Sequence, residues 1–88
     1  MKFFVYAVRD VLTGFMTPTL EQNDAVALRN FAMACDFSKR DVSLMAHKPS
    51  DFSLFRIASF DSETGVLSPI VPIELVCSGD SLGGQNHG

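Results

Sequence analysis

The 88-residue chain has only two histidines and two cysteines, and each scarcity removes a class of function. A Ser-His or Cys-His nucleophile needs a fixed imidazole, and His87 lies in a Gly-rich terminal stretch, which leaves His47 alone as a candidate base. Cys35 and Cys77 are too few for the disulfide framework that holds small secreted domains together. No Cys-x-x-Cys or His-x-x-x-His spacing offers metal ligands either. The expectation is a nonenzymatic protein of a reducing compartment, with no metal and no cofactor. Positive charge is also short: seven Lys and Arg stand against ten Asp and Glu, and no Lys or Arg follows Arg56. A strongly basic nucleic-acid-binding domain is thereby excluded. Long apolar runs are missing as well. The run from Phe3 to Val8 stops at Arg9-Asp10, short of the roughly 7–15 residues of a signal-peptide core. No window approaches the ~18 apolar residues of a membrane span. The chain therefore reads as soluble and intracellular, with no membrane partner.

What is present is apolar residue, 47% of the chain, in a length that allows one domain around one small core. The clearest internal signal is a repeat. Residues 7–20 (AVRDVLTGFMTPTL) align without gaps on residues 58–71 (ASFDSETGVLSPIV), and Asp10/Asp61, Thr13/Thr64, Gly14/Gly65 and Pro18/Pro69 coincide. Each copy has an apolar strand, Asp-x-x-Thr-Gly, and a short apolar strand ending at Thr-Pro or Ser-Pro. This is β-hairpin grammar: Asp10 and Asp61 can accept a backbone N–H two residues on, and Gly14 and Gly65 supply the positive φ that closes the loop. Proline cannot donate to a ladder, so Pro18 and Pro69 mark strand exits or edges.

Between the hairpins, Asn23 is a good N-cap, Asp24 suits the positive end of a helix dipole, and no Gly or Pro interrupts through Phe37. Leu28, Phe31, Ala32 and Cys35 have the spacing of one buried stripe. Residues 38–50 read as a polar connector with at most a short helical turn at 41–46. The segment Ile73 to Cys77 can extend the second hairpin past Pro72. The predicted fold is α+β, in the order β-β-α-β-β: an antiparallel sheet of four strands, or five, built from two similar hairpins, with one helix on one face. Residues 1–77 form the domain, and 78–88 a flexible polar, Gly-rich tail.

A single helix covers one face of a sheet, yet Phe3, Val5 and Ala7 alternate with Phe4, Tyr6 and Val8, so both faces of the first strand are apolar. The second hairpin shows the same: Phe52, Leu54, Ala58 and Phe60 against Phe55 and Ile57. The expected remedy is a second copy of the chain, giving a homodimer. For single-stranded DNA the candidate cations are Arg9, Lys39, Arg40, His47, Lys48 and Arg56, with the phenylalanines as stacking surfaces. Against that, counterion release requires several cations on one surface, and most of the aromatics are needed for the core.

Three ordered phrases resemble a known family. Tyr6-Ala7-Val8-Arg9-Asp10 in the first strand, Ala27-Leu28-Arg29-Asn30-Phe31 in the helix, and the run from His47 to Ile57 followed by Phe60-Asp61-Ser62-Glu63-Thr64-Gly65 are similar to the small nonstructural protein of gokushovirus-type microviruses. The similarity covers about residues 3 to 72. Matching positions are Arg9, Arg29, His47, Asp51, Phe52, Leu54, Phe55, Asp61 and Gly65. The chain departs from the pattern where Lys48 stands between His and Pro, Ser50 replaces an acid and Ala58 replaces a glycine. The resemblance implies a bacteriophage accessory protein of the host cytoplasm, absent from the mature virion, that assists single-stranded DNA synthesis or DNA packaging. Its means would be DNA binding, or else contact with the viral replication initiator or the procapsid.

Overall fold

The structure is a computed structural model that describes residues 1–36, 45 and 48–81. Among the described residues the elements follow in the order β1 (Lys2–Asp10), β2 (Gly14–Phe15), β3 (Thr19–Glu21), α1 (Asp24–Ala34), β4 (Phe52–Asp61) and β5 (Leu67–Ser78). All pairings are antiparallel. β1 is central: β4 runs along one of its edges, and β2 and then β3 share the other, so the sheet is four strands wide with β5 outermost. The fold is α+β, two hairpins and a helix on one face, as the sequence implies.

Both hairpin turns are built by the same three groups. The Asp10 carboxylate accepts the Leu12 N–H at 2.9 Å and the Thr13 hydroxyl at 3.1 Å. In the second turn Asp61 accepts the Glu63 N–H at 2.9 Å, and the Gly65 N–H returns to the Asp61 carbonyl at 2.7 Å. Gly14 and Gly65 take φ of 96° and 75°, a region that L side chains resist because Cβ crowds the backbone. The Glu63 N–H, ahead of other contributions, holds the Asp61 carboxyl below its ordinary range. Pro18 separates β2 from β3, since it has no N–H to offer β1.

Helix α1 begins where expected, with the Asn23 side chain accepting the Val26 N–H at 3.0 Å. It ends three residues earlier than the uninterrupted sequence allows, with Cys35 as its C-cap. The buried stripe is Ala27, Phe31 and Cys35, while Leu28 and Ala32 are half-buried. The helix is rolled so that the i, i+4, i+8 row faces the sheet. There it meets Tyr6, Phe52 and Leu54, with Phe4, Val8, Met45, Val76 and Cys77 packed around them. Each fully buried aromatic of this core contributes roughly 1.5–3 kcal/mol by removal from water. β5 runs through Ser78 and Gly79 is buried, so packed chain continues past the expected domain end at 77. Residues 82–88 of the expected tail lie outside the described residues.

One irregularity has large consequences. Val5 faces Ala58 across the β1–β4 ladder, but the next residue, Tyr6, faces Arg56, so Ile57 is an extra residue in β4. A bulge of this kind reverses the alternation of the strand beyond it. Phe52, Leu54 and Arg56 therefore point to the helix, whereas Ala58 and Phe60 join Phe55 on the opposite face. A second offset, between Arg56 and Ala58, makes β5 bow outward at Ile70 to Ile73, leaving Val71 almost fully exposed.

Candidate interaction surfaces

Of the cations predicted to meet DNA, the described Arg56 and Arg9 lie on opposite faces of the sheet. Arg56 lies on the helix side of β4, directly across the ladder from Glu74 of β5. Its Nη2 approaches Glu74 Oε1 at 2.6 Å, and its Nη1 approaches Asp24 Oδ1 at 3.2 Å. Its guanidinium lies 5.0 Å from the centroid of the Phe4 ring. The Glu74 hydrogen bond first, with Asp24 adding to it, raises the Arg56 pKa further. Asp24 also accepts the Tyr6 hydroxyl at 2.5 Å, and burial followed by that bond pushes the Tyr6 phenol well above its ordinary value. The first turn of α1, β1, β4 and β5 are thus tied together at one point, and the Arg56 charge is matched by two carboxylates.

Arg9 is exposed on the face of the sheet opposite α1, paired across the ladder with Phe15 and Ser53. Lys48 is exposed ahead of the 3₁₀ turn Pro49–Asp51. Lys39, Arg40 and His47 lie outside the described residues. Asp10, Gly14, Asp61 and Gly65 occupy the two turns. Sequence reasoning missed Asp24 and Glu74 as the partners of Arg56. The signal for Glu74 was its place on the strand paired with β4, but the register needed to see it passes through an offset that no pattern announces.

The face without a helix is the larger feature. Phe3, Val5 and Ala7 of β1 lie beside Phe60, Ala58 and Phe55 of β4, with Leu20 next to Val5 and Leu75 next to Phe55. Phe15 meets the edge of the Phe55 ring at a centroid separation of 5.7 Å. Among the described residues nothing packs over this surface: Leu20 is 49% exposed, Phe15 50%, Leu75 58% and Leu67 61%. Ala7 and Ala58 are buried, closed over by their larger neighbours. Arg9 is the sole charged residue among the described strand positions on this side. The carboxylates of Glu21, Glu74 and Asp61 sit on the other side, opposite Phe4, Arg56 and Lys2 respectively.

On the helix side, a cavity of about 260 Å³ lies between α1 and the sheet, lined by Tyr6, Val8, Phe31, Met45 and Leu54 among others. Its polar lining is Thr19, Glu21, Asn30 and Tyr6. Among the described residues no three His, Cys, Asp or Glu side chains converge as metal ligands, and no helix is long and apolar enough to cross a membrane. Burial pushes the Cys35 thiol up to about 11 and raises Cys77 as well, which leaves both as neutral thiols near pH 7.

A family model described as Phage ORF5 protein matches residues 3–82. No curated protein and no solved structure matches the chain.

Proposed function

The chain belongs to the family of phage ORF5 proteins, and from that premise we propose that it is a nonenzymatic accessory protein that assists single-stranded DNA genome synthesis or packaging by protein contact. The contact surface is the open face of the sheet. What supports this reading above all is the chemistry of that face: it is broad and apolar, with exposed Leu20, Leu67 and Leu75, and Arg9 is the single cation among its described strand positions. Exposed apolar patches of this size mark protein contacts. A phosphate backbone, by contrast, demands several cations in a row, and Arg56 is already engaged by Asp24 and Glu74.

Direct binding of single-stranded DNA is the second reading, favoured by one observation: Arg9 stands beside the Phe15 and Phe55 rings, a cation next to a stacking surface. Titration of a labelled single-stranded oligonucleotide at two salt concentrations separates the two. On the protein-contact reading no salt-sensitive binding appears at micromolar protein. Micromolar binding that weakens with salt and disappears in Arg9→Ala would overturn it in favour of DNA. A contact through Arg9 alone gives a log–log salt slope on the order of −1 per protomer.

A further inference from the structure

We propose that the occupant of the open sheet face is a second copy of the same chain, so that the working unit is a homodimer in which two sheets pack face to face and the two helices lie outermost. This inference rests on the protein-contact reading and names the partner.

Area comes first. Four strands abreast at ~4.8 Å, with the ten-residue β4 rising ~3.3 Å per residue, give a face of roughly 600 Å² in plan. Side-chain relief adds to this, which brings the surface near the ~800 Å² per partner of a stable interface. Exposure comes second. Ala7 and Ala58 are closed over by their larger neighbours, so contact between two copies falls on the exposed side chains around them, Phe15, Leu20, Leu67 and Leu75, at the ~10 Å spacing of packed sheets.

Charge comes third, and it distinguishes a second copy from a different partner. A heterologous partner is ordinarily selected by matched charges around an apolar centre. Here the strand positions of the face offer one charge, Arg9, near the sheet end where β1 meets β2. The carboxylates of Glu21, Asp24, Asp61 and Glu74 all lie on the helix side or at a turn. Face-to-face packing therefore keeps the acidic sides of a net-negative protomer apart, about two sheet layers from one another, and buries none of these four carboxylates. Packing through the helix side would place those carboxylates against each other.

Sedimentation equilibrium of the full chain, from 1 to 100 µM, tests the proposal, run on the parent and on Leu20→Asp, Leu75→Asp and Leu12→Asp. Leu12, 81% exposed in the first turn and outside the strand positions of the face, serves as the control. The parent is expected at twice the 9.6 kDa chain mass. Leu20→Asp and Leu75→Asp should weaken association by at least about tenfold while far-UV circular dichroism stays that of the parent, and Leu12→Asp should leave it unchanged. If an aspartate variant fails to fold, Leu20→Gln and Leu75→Gln replace it with the same expectation. A parent that stays at chain mass to 100 µM overturns the dimer. So does a dimer indifferent to all the face variants. The protein-contact reading has a separate fate: if the parent is a monomer but folded Leu75→Asp no longer supports phage yield and Leu12→Asp does, the face binds a different protein and only the identity of the occupant was wrong.

Discussion

Removing the Arg56 side chain should lower stability by about 2 kcal/mol, and the figure can be assembled from its contacts. Its ion pairs with Asp24 and Glu74 involve carboxylates that are half exposed, so each is worth only ~0.2–1 kcal/mol after screening and side-chain entropy. The guanidinium over Phe4 adds roughly 0.5–1 kcal/mol. The aliphatic stem, held against the sheet, supplies the remainder. For a domain of this size 1 kcal/mol corresponds to about 4–8 °C in Tm, so Arg56→Ala should melt roughly 8–16 °C below the parent. Part of that gap is Coulombic and should shrink when both proteins are melted in high salt, while the Phe4 and stem contributions persist. A double-mutant cycle with Glu74→Gln isolates one pair, and its coupling should fall in the same ~0.2–1 kcal/mol range. The reasoning is refuted if Arg56→Ala melts within about 0.5 kcal/mol of the parent. Were the same variant also to lose retention of single-stranded DNA, Arg56 would be a phosphate contact and not the tether between α1 and the sheet.

The two turn glycines give an independent check: Gly14→Val and Gly65→Val should each destabilise by about 1–2 kcal/mol in urea unfolding, because a Cβ at either site meets no neighbour and the penalty is that of backbone conformation alone. Unchanged midpoints in both would show that the turns tolerate a different backbone. Cys35 predicts an alkaline limit. Its thiol is held protonated in the fold up to about 11, against an ordinary value near 9, so above pH 9 the unfolded chain releases a proton that the folded chain keeps. The Cys35 contribution should therefore be constant below pH 9 and be lost as pH rises from 9 toward 11, and Cys35→Ala, though less stable overall, should lose that part of the slope. An identical alkaline slope in the variant would assign the loss to other groups.

The expectation of a gokushovirus-type accessory protein drew on three phrases, and the family match over residues 3–82 establishes its coarser part, a phage protein family. Local chemistry explains why the turns and the helix start could be read at all. Asp10, Gly14, Asp61 and Gly65 act on atoms within four residues of themselves, and Asn23 caps a backbone N–H three residues away. Such interactions depend on sequence separation and are written into sequence directly. The apolar alternation of β1 likewise announced two faces that both need cover.

Other features depend on atoms far apart in the chain. Ile57 bulges because β1 and β4 pair with unequal residue counts, and only that pairing moves Ala58 and Phe60 away from Phe52 and Leu54 and onto the face of Phe55. Simple alternation along β4 would have divided the open face between two sides of the sheet. The partners of Arg56 are 32 and 18 residues away, and they meet it because α1 lies across the sheet and the β5 offset aligns Glu74 with it. The helix roll that buries Ala27 in place of Leu28 follows from the shape Tyr6, Phe52 and Leu54 present to it. The sequence by itself determined the elements, their turns and the surplus of apolar surface. Which residues share the uncovered face, and why Arg56 is a structural tie while Arg9 stays free of α1, was decided by register and packing, because these are set by long-range pairing that no local pattern encodes.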